Sequence, residues 1–137
     1  MRTRTLILAT VFSLLPASVA FAQETSLPAG CRSSEPMKMD NMKMDDAAMQ
    51  GMDDAHKAYM QAMMKMHPAM MQGISAKDPD VAFVCGMIAH HQGAIDMAEV
   101  ELKFGKDEDA RGKAQKVIDA QKKEIEEFRQ WVGSHTK

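Results

Sequence analysis

Histidine and methionine occur in this chain in numbers and spacings that point to soft-metal chemistry. The pair His90-His91 sits in the run Met87-Ile88-Ala89-His90-His91-Gln92-Gly93-Ala94-Ile95-Asp96-Met97. Imidazole nitrogen suits copper and other late transition metals, and thioether sulfur favours Cu(I). The 137 residues include 15 methionines, twelve of them between positions 37 and 71. Six of these, Met37, Met39, Met42, Met44, Met49 and Met52, fall in a polar stretch with no branched aliphatic or aromatic residue. Such a stretch has no core to fill, so the ordinary role of methionine as a gap-filler does not account for it. Further on, His56, Met60, Met63 and His67 follow at steps of four, three and four, which is one continuous helix face. Methionines at helical spacing are ordinarily core, and Met64 and Met71, on an adjacent line, are read that way.

These side chains need elements to position them. The first 22 residues read as an export signal. Arg2 and Arg4 are followed by the short apolar stretch Leu6 to Leu15, and Ala20-Phe21-Ala22 is a small-x-small cleavage site. The apolar run is too short for a membrane span, and none is expected after cleavage. The mature chain is expected to begin at Gln23, in the periplasm. About 115 residues then remain, enough for one modest core. Loss of Arg2 and Arg4 lowers the basic residues from 17 to 15 against 19 acidic ones, a net charge of −4. No basic patch suggests nucleic acid.

Residues 23–52 form a polar, methionine-rich arm and 53–133 a helical domain. A first helix is expected over about 53–71, ended or kinked near His67 by Pro68. The second starts with Asp78 as cap and Pro79 in the first turn, runs to Phe104 and stops at Gly105. The third starts near Asp107 to Asp109 and ends at Val132, before Gly133. No alternating β-branched run suggests a strand. The fold class is therefore all-α, an antiparallel bundle of three long helices with room for a fourth short one.

Helical rows then sort the ligands. On the second helix Val81, Ile88, Ile95 and Leu102 form one row, and Val84, His91 and Ala98 the next. His91 is thus expected inside. Phe83, His90, Met97 and Phe104 flank that seam, and Met87 lies between the histidines, so Met87, His90 and His91 are expected to converge on one ion from the inner face. Met97 is about 10 Å further along and serves a second site or packs. The face holding His56, Met60, Met63 and His67 can close over the pair from the first helix. Gln92, Asp96, Lys103 and Cys85 take the opposite, outward side of the second helix. Cys85 is poorly placed as a co-ligand there and well placed to bridge to Cys31 in the arm. An oxidising compartment permits that disulfide, and a thiolate copper ligand is the competing role. On the third helix, Gln121 interrupts an apolar seam. A hairpin turning around Lys106 puts it level with His91, with Glu124 one turn on. Either can orient the imidazole as an outer partner, or form a buried polar pair without metal.

No Ser-His-Asp, Cys-His or phosphate-loop arrangement is present, and no Cys-x-x-Cys or His-Glu-x-x-His zinc pattern. The inward Glu-x-x-His pairs of di-iron bundles are absent too. The chain does not read as an enzyme.

The runs FVCGMIAHHQGAIDMA (Phe83 to Ala98) and AQKVIDAQKKEIEEFRQW (Ala114 to Trp131) closely resemble domain-of-unknown-function family 305, which includes CopM-like copper-binding proteins. The similarity covers roughly residues 53–133. It implies a ferritin-like helical bundle, export, and copper binding through Met and His linked to copper resistance. By that resemblance Met87, His90, His91 and Met97 match the family's motif, and Met63, Met66, His67 and Met70 look similar to its Met-His helix. The chain departs from the pattern at Phe128, where Met is common, and at Cys85.

The function expected is copper buffering, delivery or resistance, with Cu(I) held by Met and His, Cu(II) admitted by imidazole, and Ag(I) as a surrogate. Another exported copper protein or a transporter is the expected partner. The rival readings are a methionine-based oxidant sink and a Met-rich partner-binding module. A copper-dependent oxidase is a weaker third.

Overall fold

The computed structural model describes residues 27–31 and 49–136. The expected signal, and the arm methionines Met37, Met39, Met42 and Met44, lie outside the described residues. Three long helices follow a short 3-10 turn at Ala29–Cys31: α1 (Asp54–Ile74), α2 (Pro79–Phe104) and α3 (Glu108–His135). No strand occurs among the described residues. The protein is an all-α antiparallel bundle in which α2 packs against both α1 and α3, while α1 and α3 scarcely touch each other.

Each helix begins on an aspartate whose carboxylate accepts orphan amide hydrogens of the first turn. Asp53 takes the N–H of His56 at 2.9 Å, Asp78 those of Asp80 and Val81 at 3.0 Å, and Asp107 that of Ala110 at 2.7 Å. Pro79 sits in the first turn of α2 as expected. Gly105 ends α2, but with φ −64° and ψ 147°. It is therefore not there for left-handed backbone. A Cβ at this position would run into the Glu101 side chain, so the missing side chain is the point. Arg111 then donates to the last carbonyls of α2, at Leu102 (2.5 Å) and Gly105 (3.3 Å).

Two helix ends differ from expectation. Pro68 does not end α1, which continues to Ile74. An interior proline costs about 3 kcal/mol. Pro68 is exposed, so its ring faces water. On the other side of the same turns, Ala69 and Met70 pack on the core and Gly73 is buried. Gly133 likewise lies inside α3, which extends to His135. Packing carries the helix through it: Val132 is fully buried, Trp131 stacks on His135 with centroids 4.2 Å apart, and Thr136 accepts the close approach of Gly30.

The core is built around α2. Val84, Ile88, His91, Ile95 and Ala98 bury toward α3, and Gly86, Ala89, Gly93 and Val100 toward α1. Gly73 of α1 lets the backbones approach: a Cβ there would stand 2.6 Å from the Cys85 carbonyl. Cys85 itself is fully buried, which corrects the outward placement expected from its row. The Leu27–Cys31 segment covers that side, with Cys31 bonded to Cys85 and Leu27 in the core cluster. Gln92 and Asp96 are half-buried for the same reason and line a cavity of about 50 Å³ beneath Leu27, with Arg129 and Ile125.

The disulfide spans 54 residues of sequence. On the chain-entropy argument, a loop of that length contributes about 4 kcal/mol by restricting the unfolded chain. The double variant Cys31→Ser/Cys85→Ser is accordingly expected to lose about that much unfolding free energy in urea titration. A loss below about 1 kcal/mol would mean the strap is not held by the bridge.

Candidate functional site

With α1 on one flank of α2, α3 on another and the strap between them, one side of α2 stays open. Phe83, Met87, His90, Ala94 and Met97 occupy it. Phe83 is 61% exposed and Met97 38%, His90 is exposed, and Met87 and Ala94 are partly buried. The row expected to flank the inner seam is thus the solvent-facing one. His91 alone of the pair is buried, at 5% exposure. The expected inner convergence of Met87, His90 and His91 is corrected to a face: His91 forms its floor and His90 its surface, with ring centroids 5.9 Å apart. The physical reason is that neighbours on a helix diverge by about 100°, so two adjacent histidines cannot both enter one seam.

The α1 side chains follow from its register. Lys65 pairs with Asp96 at 2.8 Å on the strap side of the α1–α2 seam. Tyr59 donates to Glu101 at 3.1 Å on the open side. Continuing this antiparallel register brings Met63 level with Met97 and Met70 level with His90, with His67 between them. Met63 is 43% exposed, while His67 and Met70 are partly buried. Met66 turns instead into the seam, where it fills the space left by Gly93. His56 is exposed and engaged with its own cap, Nδ1 lying 2.9 Å from Asp53, which removes it from the set. Of the arm, Met49 and Met52 are described, both partly buried and joined in a turn around Gly51, whose φ is 93°.

From α3, Glu124 reaches His91: Oε2 lies 2.6 Å from Nε2, and Gln121 donates to the same oxygen at 3.2 Å. Sequence reasoning placed Gln121 level with His91 and Glu124 a turn away. The carboxylate is the direct partner and the amide orients it. A carboxylate only accepts, so Nε2 carries a proton, and in the neutral form of the ring the lone pair is on Nδ1. That Nδ1 is buried and has no hydrogen-bond partner, and the same holds for Nδ1 of His67. Buried nitrogens are ordinarily satisfied, so two such atoms near one face call for a reason. Phe128 closes the α3 side, its ring 5.4 Å from His91 and 6.4 Å from Phe83, in edge contacts. No thioether stands at that position.

Among the described residues, no three His, Cys, Asp or Glu side chains group together to hold an ion. Apart from the Tyr59–Glu101 pair, whose oxygens are engaged with each other, the donors on this side are imidazole nitrogens and thioether sulfurs, a set that fits a soft ion. The disulfide removes both cysteines from the donor list. No described helix is long and apolar enough to cross a membrane.

Fold and face together define a class: an antiparallel helical bundle with a mixed methionine-histidine surface on its central helix. The chain belongs to the domain-of-unknown-function family 305 (DUF305), whose family model matches residues 21–132. No curated protein matches the sequence.

Tyr59 is the one tyrosine of the chain, so it reports on this side directly. Desolvation, and then the Glu101 carboxylate beside it, raise its pKa above the ordinary 10.0. The folded state therefore holds the phenol proton more tightly than the unfolded chain. Stability contributed this way is intact below about pH 10 and is lost as pH climbs through the raised value. Absorbance titration of the phenolate is expected to give a midpoint above that of the unfolded protein, and Glu101→Gln to bring it down. A midpoint equal to the unfolded value would contradict the Tyr59–Glu101 contact. On the α3 side, Glu124→Ala is expected to abolish the single Nε2–H tautomer of His91 in nitrogen-15 NMR, while Gln121→Ala leaves it.

Proposed function

We propose that the protein is an exported copper-binding protein that holds Cu(I) at the open side of α2 and serves copper buffering, delivery or resistance. The observation that carries this reading is the His91 ring. Its Nε2 is committed to Glu124, and its Nδ1 is buried without a partner. A carboxylate behind an imidazole is the outer-shell arrangement that fixes a ligating tautomer and raises its basicity. His67, with a second unpartnered Nδ1, lies between the level of Met63 and Met97 and that of Met70 and His90.

On this reading His91, His90 and His67 supply nitrogen, and Met63, Met70, Met87 and Met97 supply sulfur. Met66, turned into the seam, is a packing residue. Glu124 and Gln121 hold His91. The arm methionines, from Met37 to Met52, are exchangeable sites that capture the ion and pass it on. The reading assigns no catalytic step. Cu(II) enters through imidazole, and Ag(I) takes the place of Cu(I) in assays. Ligands drawn from two helices should couple binding to folding.

Competitive Cu(I) titration of the wild-type chain beside His90→Ala/His91→Ala tests it. The double variant is expected to weaken the tightest site at least tenfold. Equal affinity in both would move copper to the arm alone. No tight site in either would favour the oxidant-sink reading, in which surface methionines cycle through sulfoxide.

A further inference from the structure

We infer that Tyr59 sets the oxidation-state preference of the methionine-histidine face: by holding the Glu101 carboxylate it keeps a hard oxygen donor away from the ion, so the site takes Cu(I) in preference to Cu(II). This rests on the copper reading above and deepens it by naming the residues that select the ion.

Glu101 belongs to the open strip of α2. Phe83, Met87, His90, Ala94, Met97 and Glu101 follow at steps of four, three, four, three and four, so the carboxylate is the next side chain after the Met97 thioether. Tyr59 and Met63 stand four apart on α1 in the same way. One register joins the two lines: Gly73 approaches Cys85, Ile74 approaches Gly86, Met66 fills the space at Gly93, Lys65 pairs with Asp96 and Tyr59 with Glu101. Tyr59, Met63, Met97 and Glu101 are therefore the corners of one patch, a single helical turn long.

Side chains four apart on a helix stand about 6 Å from each other, which puts Glu101 in reach of an ion on Met97. Its oxygens are nonetheless drawn elsewhere. Oε2 accepts the Tyr59 hydroxyl at 3.1 Å. Oε1 lies at Gly105, in the space a Cβ would need. Gly105 is one turn beyond Glu101, and Met97 is one turn before it, so the carboxylate leans away from the thioether. The Tyr59 hydroxyl anchors it in that position.

This arrangement bears on which ion is held. Thioether sulfur favours Cu(I), carboxylate oxygen suits harder ions, and nitrogen with oxygen is the donor set of Cu(II). A released Glu101 would also bring a negative charge to the ion, which attracts a divalent cation about twice as strongly as a monovalent one. Freed from the phenol, it would turn a soft site into a mixed one.

Competitive titration of the purified full chain with Cu(I) under reductant and with Cu(II) in air, beside Tyr59→Phe and Tyr59→Phe/Glu101→Gln, tests the inference. Tyr59→Phe keeps the ring and loses one hydroxyl, so its circular dichroism is expected to match the wild type. It is expected to bind Cu(II) about tenfold more tightly with Cu(I) affinity unchanged, which lowers the potential of the bound couple by about 59 mV. The electron paramagnetic resonance signal of its Cu(II) is expected to move toward oxygen ligation. The double variant is expected to return all of these readings to the wild-type values. In the wild type, the carbon-13 shift of the Glu101 carboxyl is expected to stay in place as Ag(I) is added. Unaltered or weaker Cu(II) binding in Tyr59→Phe, a gain shared equally by Cu(I), a gain that survives Glu101→Gln, or a Glu101 shift that moves with Ag(I) overturns selection by Tyr59 and leaves the copper reading standing. A wild type that binds neither Cu(I) nor Ag(I) overturns both.

Discussion

The Cys31–Cys85 bond decides which side of the central helix is covered and which is left for chemistry. Two flanking helices cannot enclose α2, because α1 and α3 scarcely meet and leave a gap on either side. The bond draws the Leu27–Cys31 strap into one gap, where Leu27 joins the core over Ile88, Ala89 and Ile125. The other gap, over His90, stays open by default. A helix with apolar residues almost all round ordinarily marks a fully buried element. Here the one uncovered arc holds the donors.

Close approach on one flank and electrostatics on the other keep that arc in register. Gly73 lets the α1 backbone approach that of α2 at Cys85, while Gly86 and Gly93 make room for the Ile74 and Met66 side chains, so sliding one helix past the other would bring a Cβ into backbone or into a packed side chain. On α3, the Glu124 carboxylate fixes His91 at 2.6 Å, with Phe128 against the ring. Glu124 is about half exposed, so the pair contributes little to stability as an ion pair. Its effect is directional: it selects which imidazole nitrogen is free. Rigidity on the α1 side and tautomer choice on the α3 side are thus separate devices acting on adjacent residues.

Much of this architecture is legible along the chain. The caps Asp53, Asp78 and Asp107, the proline at the start of α2 and the glycine at its end are local signals, and they mark where helices begin and α2 stops. His91 reads as buried because its row is otherwise apolar. The level of His91 against α3 follows from the hairpin length. Pro68 and Gly133 mislead for one reason: local propensity is worth a few kcal/mol at most, and burial of Gly73 and Val132 on the far side of each turn outweighs it. Gly105 reads as the stop of α2, and the structure adds the reason: the closeness of Glu101 excludes a side chain there.

What the sequence by itself determined is the material: three capped helices, their antiparallel order, a pair of bridgeable cysteines, and imidazole and thioether donors concentrated along two of the helices. These depend on contacts within a few residues, and periodicity reports them. Only the tertiary structure decided which row of α2 faces water. Periodicity sorts residues into rows but carries no sign for a helix packed on several sides, since Val84, Cys85, Gly86 and Ala89 point in different directions and are all buried. The covering element at Cys85 lies 54 residues away along the chain. Its position, and with it the exposure of His90 beside a buried His91, is a property of packing between distant segments.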